Sequence, residues 1–222
     1  VAYGAQDVYL TGDPQITYFK VVYRRHTNFS MECIEQTFNG TAAAGAKVCC
    51  TISRNGDLIG AMHLEVPSSG QAGTNTFAGY ISEVEVEIGG QKIDKHYGEW
   101  LDIWYDLTAG ADKAKTALIL ANAAGTGAGK SYIPLQFWFN RNPGLALPLI
   151  ALQYHEVKIN LDLRALDECL WAVTKLGGGS GSQKVTNAYA QSLVAASLYV
   201  DYIYLDTDER RRMAQNPHEY LI

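Results

Sequence analysis

LALPLIALQYHEVKINLDL, residues 145–163, is the stretch that decides the fold. It is apolar at its start and changes after Tyr154 into a strict alternation of apolar and polar residues. Successive side chains of a β-strand point to opposite faces, so this alternation predicts a strand with one buried and one solvated face. The residues on the buried face are His155, Val157, Ile159, Leu161 and Leu163.

The composition is that of a folded, non-basic domain. The 222 residues can bury about 70% of the surface of the unfolded chain, so the core needs no metal or disulfide. The formal charge of −5 argues against a surface that grips phosphate backbones, so no nucleic-acid partner is expected. The basic run Arg210–Arg212 directly follows acidic residues, which favours a charged helix from Asp206 to Gln215 over a DNA-binding patch.

The cysteines and the apolar runs exclude several other classes of protein. No CxxC spacing links the cysteines, so neither a zinc site nor a redox motif is indicated, and free thiols in a reducing compartment are expected. No run approaches the roughly 18 apolar residues of a membrane span, and no secretory signal begins the chain. The first residue is valine, which predicts a cut amino terminus. The cysteines are Cys33, Cys49, Cys50 and Cys169.

Residues 46–66 predict a β-hairpin. Two β-rich runs flank Asn55-Gly56, the pair that best tolerates the positive φ angles of a type I′ turn. This turn would place Arg54 opposite Asp57 and a buried pair of isoleucines, Ile52 and Ile59, opposite each other.

The rest of the chain adds further strands and short helices. A helix over residues 96–107 is predicted to bury a stripe formed by Tyr97, Trp100, Leu101 and Trp104. The other predicted strands are 15–25, 31–38, 80–88, 132–140 and 192–205, and the predicted loops are 67–79, 108–130 and the GGGSGS-containing 176–187. About eight strands, with helices confined to connections, predict an all-β fold: an eight-stranded antiparallel jelly-roll sandwich.

The motifs that could form a catalytic or binding site lack the neighbouring residues or spacing that such a site requires. AGTGAGKS, residues 124–131, satisfies a loosened phosphate-loop pattern, but a strand containing Pro134 follows Lys130 where that loop requires a helix. Glu83, Glu85 and Glu87 alternate along one strand and are expected to form a solvated face. The histidines show no metal-ligand spacing, and His155 is expected to be a hydrogen-bonded core residue.

The residues therefore predict no catalytic, cofactor-binding or metal-binding site, and favour a building block or a binding module over an enzyme. Two alternatives remain open. A carbohydrate-binding jelly roll would present exposed tryptophans or a calcium-binding carboxylate cluster. A nucleotide hydrolase would use Lys130 on the phosphates.

Four stretches resemble one known family. They are GAQDVYLTGDPQITYFKVVYRRHTNFSME (4–32), HYGEWLDIWYDLT (96–108), PLQFWFNRNPGLALPLIALQYHEVKINL (134–161) and DERRRMAQNPHEYLI (208–222). Together they are similar to the amino-terminal jelly roll of the major capsid proteins of nucleocytoplasmic large DNA viruses, in the algal-virus and giant-virus branch.

The resemblance implies a structural role without catalysis or a cofactor. Proteins of this family look like two consecutive jelly rolls, and three copies form a pseudo-hexagonal capsomer of an icosahedral shell. The expected partners are the other subunits of a homotrimer, neighbouring capsomers and minor capsid proteins, with neither nucleic-acid contact nor direct membrane insertion. The expected location is the virion capsid, assembled in the host cytoplasm.

The resemblance also implies how the chain is divided. Residues 1–14 would be an amino-terminal segment, residues 15–206 the jelly-roll domain, and residues 207–222 a short helix and linker toward a second jelly roll. On this division the sequence is a fragment, because only the first of the two jelly rolls is represented.

Overall fold

A computed structural model describes residues 26–68, 81–108, 110, 129–165, 171–176, 179–184 and 196–222. The strands are β1 (Phe29–Gln36), β2 (Lys47–Thr51), β3 (Leu58–Ser68), β4 (Ile81–Ile88), β5 (Gln91–Tyr97), β6 (Gly129–Pro134), β7 (Leu147–Pro148), β8 (Val157–Leu163), β9 (Trp171–Leu176), β10 (Gly179–Lys184) and β11 (Ser197–Leu205). The helices are α1 (Gly98–Thr108), α2 (Trp138–Arg141) and α3 (Thr207–Gln215), with a 3₁₀ turn at Pro143–Leu145. The predicted strand 15–25, Cys169 and most of the predicted loops 67–79 and 108–130 lie outside the described residues.

Eight strands form two four-stranded antiparallel sheets. Sheet I has the order β1-β11-β3-β6, with the two-residue β7 also paired to β3, and sheet II has the order β2-β8-β4-β5. Along the chain, β1, β3, β6 and β11 of sheet I alternate with strands of sheet II, and within these two sheets only β4 and β5 are both consecutive in sequence and paired with each other. The consecutive strands β9 and β10 form a separate two-stranded sheet. This wrapping of the chain is that of a jelly roll, so the predicted fold class is confirmed.

The core lies between the inner faces of the two sheets. Val157, Ile159, Leu161 and Leu163 of β8 are each 3% exposed or less, so the alternation that decides the fold buries the predicted face. Sheet I contributes the buried Met62, Leu64, Val200 and Tyr202. Each such side chain contributes roughly 1.5–3 kcal/mol by leaving water.

The predicted hairpin at Asn55-Gly56 is wrong. β2 pairs with β8 in sheet II and β3 pairs with β11 in sheet I, so residues 52–57 carry the chain from one sheet to the other. Gly56 is not among the described glycines with positive φ. It is needed because a Cβ at this position would lie 2.9 Å from Cβ of Tyr202. Turn chemistry is local, whereas the choice of sheet depends on which faces the flanking strands bury.

Side chains close to the crossover hold it in place. Tyr202 donates its hydroxyl proton to the carbonyl of Ser53 at 2.7 Å, and the Ser53 N–H donates to Gln36 at 3.0 Å. Asp57 accepts from the Leu205 N–H at 2.8 Å and from the Arg210 guanidinium at 2.9 and 3.1 Å. The crossover is therefore tied to β1, to β11 and to α3.

Three other stretches differ locally from the sequence prediction. Residues 149–156 form turns, so the regular strand begins only at Val157. The strand predicted over 132–140 ends at Pro134, although its predicted inner side chains, Ile133, Leu135, Phe137 and Phe139, are all buried. Residues 179–184 of the predicted glycine-rich loop form β10, which pairs with β9. This region is therefore a hairpin and not a loop.

The two longer helices lie close to their predicted positions. α1 begins at Gly98 because His96 and Tyr97 still belong to β5. α3 begins after Asp206, whose side chain accepts from the Glu209 N–H at 2.9 Å and so caps the helix. The acidic start and Arg210 on the same helix agree with the charged-helix interpretation of this basic run.

Candidate interaction surfaces

The outer face of sheet II is a network of ion pairs and hydrogen bonds. Lys92 lies 2.9 Å from Glu85, Lys95 pairs with Glu83, and Lys47 lies 2.6 Å from Asp162. Asn160 donates to Glu85 at 3.0 Å and to Glu87 at 3.3 Å. Each of the three alternating glutamates thus has a partner on a neighbouring strand.

Glu85 shows that this face is not simply solvated, as the sequence predicted. The residue is only 6% exposed, because its partners on β5 and β8 cover it. Burial by itself would raise the pKa of Glu85, but the hydrogen bonds from Lys92 and Asn160 outweigh it and hold the pKa below the ordinary value. These carboxylates stabilise the sheet and leave no open acid pair for catalysis.

The segment that follows the glycine-rich run does not have the structure that a phosphate site requires. Residues 124–128 lie outside the described part of the chain, but Lys130 is in β6, where it is paired in register with Pro67 of β3. The strand continues to Pro134, and the four-residue α2 begins only at Trp138. The structure therefore places a strand where nucleotide binding requires a helix, as the sequence predicted.

The histidines, all of which lie in the described residues, do not form a metal site. His155 is exposed, which corrects the prediction of a core histidine, because the turn before β8 carries it to the surface against Gly89. His96 is the buried one, at 6% exposed. Among the residues that the structure describes, no three His, Cys, Asp or Glu side chains are arranged to hold a metal ion.

The cysteines in the described ranges are free thiols of different exposure. Cys50 points into the core, Cys49 is half-buried on the opposite face, and Cys33 is exposed on β1. Burial and the neighbouring carboxylate of Asp201 raise the pKa of Cys33 to about 11. A thiol that keeps its proton at neutral pH is a poor nucleophile, so Cys33 is not arranged for catalysis.

The first exposed apolar surface lies on sheet I. Phe29 is 64% exposed and Met31 is 56% exposed, and in register they face Leu205 and Ile203 of β11. β1 is the end strand of sheet I in the described order, so no other described strand pairs with its outer edge. We call Phe29, Met31 and Leu205 the β1 patch. The sequence signal that could have identified it is the pair of apolar residues at alternate positions, Phe29 and Met31, on the face of β1 opposite to the core-packed Ile34.

The second exposed apolar surface lies on α1. Ile103 is 51% exposed and Leu107 is 77% exposed. The predicted buried stripe is only partly correct: Leu101 is buried, Trp100 and Trp104 are half-buried, and Tyr97, which belongs to β5, is exposed. The Arg141 guanidinium covers Trp104 at 4.7 Å from the ring centre, so this ring is not an open sugar-stacking platform. We call Ile103 and Leu107 the α1 patch.

The carboxyl-terminal residues pack on one end of the sandwich. Nε2 of His218 lies 2.7 Å from the carbonyl of Met213, and Tyr220 donates to the carbonyl of Ala146 at 3.3 Å. An apolar groove of about 470 Å³ remains beside them, lined by residues that include Trp138, Leu152, Tyr220 and Ile222. In the described residues, no helix has the length and apolar character needed to cross a bilayer.

Comparison with known proteins gives a consistent set of relatives. Residues 17–206 match the family model described as "Major capsid protein N-terminus". The chain is 54% identical to the major capsid protein of Phaeocystis pouchetii virus and 47% identical to that of Paramecium bursaria Chlorella virus 1; all of this chain is covered in both cases, against 51% and 50% of the relatives. The chain therefore spans about half the length of these curated relatives.

A solved structure supports the same relationship. The chain superposes on a subunit of the PBCV-1 virus capsid quasi-atomic model with a TM-score of 0.69 and 42% sequence identity. The match covers 92% of this chain and 49% of that one.

Proposed function

This chain belongs to the major capsid protein family, and from that premise we propose that it is a structural protein of a viral icosahedral capsid. In this proposal three copies of the complete protein form a pseudo-hexagonal capsomer, and the shell is built from such capsomers. The observation that carries the proposal is the 42% identity, over 92% of this chain, to a subunit of the PBCV-1 virus capsid.

The proposed division of the chain follows from the length of its relatives. Residues 15–206 would form the jelly roll, preceded by a segment over residues 1–14. Residues 207–222 would lead to a second jelly roll, because the curated relatives are about twice as long as the matched region. The hydrogen bonds from Arg210 to Asp57 support a defined exit direction for the chain, since they fix α3 to the crossover.

The proposed contacts with neighbouring subunits involve the β1 patch and the α1 patch. Apolar side chains that are more than half exposed gain free energy when another surface covers them. Assembly would then be stabilised by symmetric burial between subunits rather than by a cofactor. Besides copies of itself, minor capsid proteins are the proposed partners, without nucleic-acid contact or membrane insertion.

The role proposed is non-catalytic, in the virion capsid, with assembly in the host cytoplasm. The inward-facing residues of both sheets are packed apolar side chains, and the polar face of sheet II is internally paired. Free thiols agree with folding in a reducing compartment.

The test is the oligomeric state of the complete protein that contains this chain. We expect light scattering to give the mass of a trimer and negative-stain electron microscopy to show particles with a hexagonal outline. Monomers at micromolar concentration, without association at any higher concentration, would contradict the proposal.

Matched variants sharpen the test. Phe29→Ser combined with Met31→Ser, or Ile103→Ser combined with Leu107→Ser, should reduce capsomer or shell assembly. Tyr154→Ser removes an aromatic side chain that is 93% exposed and lies outside both patches, so it serves as the control. If all three variants assemble like the parent protein, the two patches are not the contact surfaces.

A further inference from the structure

His96 lies where the two sheets meet at one edge of the sandwich. It belongs to β5, the end strand of sheet II, and its ring centre is 4.4 Å from that of Phe137. Phe137 follows β6, the end strand of sheet I. The contact between these two rings therefore connects the last strand of one sheet to the segment that leaves the last strand of the other.

Hydrogen bonds attach residues 135–141, which we call the Phe137 segment, to sheet I. The Leu135 N–H donates to the carbonyl of Met62 at 2.9 Å, and Asn140 donates its side-chain amide proton to the carbonyl of Gly60 at 2.7 Å. Both acceptors are on β3. Phe137 also stacks on Phe139 at 5.7 Å, so the ring that meets His96 is part of an aromatic cluster fixed to sheet I.

The His96 ring has the wrong surroundings for a positive charge. The residue is 6% exposed, and its buried Nε2 has no hydrogen-bond partner among the described residues. Burial is the main reason why the pKa of His96 is lowered to about 4, and Arg141 lowers it further. Asp94 on the same strand acts in the opposite direction but does not compensate.

Among the described residues, Asp94 is the carboxylate whose charge raises the pKa of His96. The residue opposite His96 on β4 is Val84. In the first turn of α1, the carboxylate of Glu99 is already paired with Arg164. Protonation of the closed state therefore places a charge in a buried site whose Nε2 has no described partner, which favours separation of β5 from the Phe137 segment.

We propose that the contact between His96 and the Phe137 segment is sensitive to pH. It holds the β5 edge of sheet II against this segment while the ring is neutral, and it opens when the ring is protonated. We call this contact the His96 seam. The direction of the pH dependence follows from the different pKa values of His96 in the closed and the opened chain. An unfolded or opened chain binds the proton near pH 6.5, whereas the closed chain binds it only near pH 4. The seam is thus fully stable above about pH 7, weakens as the pH falls from 6.5 to 4, and loses nothing further below that range.

Two measurements on the 222-residue chain test this seam. The first is an NMR titration of the histidine ring protons in the unmodified protein, which needs no variant. We expect the His96 ring to titrate near pH 4, well below the ordinary histidine value of 6.5. A His96 ring that titrates near pH 6.5 in the folded protein would overturn the proposal.

The second measurement compares urea unfolding at several values between pH 7 and pH 4. Over this interval His96 should lower the folding equilibrium constant by about two orders of magnitude, and His96→Leu should remove this part of the pH dependence. The control His155→Leu should leave it unchanged. An equal pH dependence in the His96→Leu and parent proteins would also overturn the proposal.

Hydrogen exchange locates the opening. At pH 4.5 the amides of β5 and of residues 135–141 should exchange faster relative to those of β11, and His96→Leu should abolish this difference. Uniform acceleration across both sheets would show global unfolding and would contradict a local seam.

Discussion

The two sheets bury similar apolar inner faces but differ on their outer faces. On sheet II, lysines and an asparagine on adjacent strands satisfy the glutamates of β4. On sheet I, the end strand β1 leaves Phe29 and Met31 more than half exposed beside Leu205. The charged groups of one outer face are thus paired within the chain, whereas part of the other outer face exposes apolar side chains.

This difference separates two roles within a single domain. The lysines on the end strand β5 of sheet II discourage edge-to-edge association, since charged side chains on edge strands oppose it. On β1 the exposed apolar pair Phe29 and Met31 comes first, and the charged residues of this strand, Glu32 and Glu35, follow it. A protein that must adjoin its neighbours in a fixed orientation needs both kinds of face.

The largest expected effect is on the core that both sheets share, and β8 offers an internal comparison. Ile159→Ala removes a side chain that is 1% exposed and should lower the free energy of unfolding by roughly 2–5 kcal/mol. Lys158→Ala, on the outer face of the same strand, should change it by less than about 0.5 kcal/mol. Urea unfolding at pH 7 measures both. Equal losses would mean that the two faces of sheet II are not distinct.

The next effect concerns the crossover between the sheets. Asp57→Ala leaves the Leu205 N–H and the Arg210 guanidinium without their acceptor and should cost about 1–3 kcal/mol in unfolding free energy. Arg210→Ala should cost less, because the Leu205 bond remains. The neighbouring exposed Arg211→Ala is the control and should have almost no effect. Unfolding experiments that cannot distinguish Asp57→Ala from Arg211→Ala would refute the role given to the crossover.

A smaller effect is expected on the polar face of sheet II. Glu85→Gln should lower stability by about 1 kcal/mol at pH 7, because the charge-assisted bond to Lys92 is lost. The folded-state pKa of Glu85 is lowered, so its contribution is present above the ordinary pKa of 4.5 and disappears as the pH falls through the folded value. Glu156→Gln is the exposed control. If Glu85→Gln has the same acid dependence as the parent protein, the paired-face interpretation fails.

The smallest effect on stability should come from the β1 patch. Phe29→Ser with Met31→Ser should change the unfolding free energy of the chain by about 0.5 kcal/mol or less, because both side chains are mainly in solvent. A loss of several kcal/mol, measured by thermal or urea unfolding, would mean that these residues support the fold of the chain itself.

The sequence predicts the fold best where apolar and polar residues alternate along a strand, because this alternation shows which side chains are buried. The alternation from Val157 to Leu163 identified both faces of β8 correctly. The alternation in β4 placed the three glutamates on one face correctly, but Glu85 is buried through contacts with Lys92 and Asn160 that no local pattern reveals.

The parts that could not be predicted depend on long-range pairing. Asn55-Gly56 has the composition of a tight hairpin turn, yet the chain changes sheets there because each flanking strand pairs with a partner more than 90 residues further along. His155 follows the strand alternation by its position in sequence but precedes the first regular pair of β8. The β1 patch was missed because exposure of Phe29 and Met31 depends on β1 being an end strand.

The most direct test is hydrogen exchange of the complete protein in assembled capsids and as dissociated subunits, read out by mass spectrometry. The amides of β1 should exchange at least about tenfold more slowly in the capsid, because a neighbouring subunit covers that edge, while those of β5 in sheet II should change little. Identical exchange of β1 in the two states would contradict the claim that this sandwich contacts its neighbours through the exposed end of sheet I.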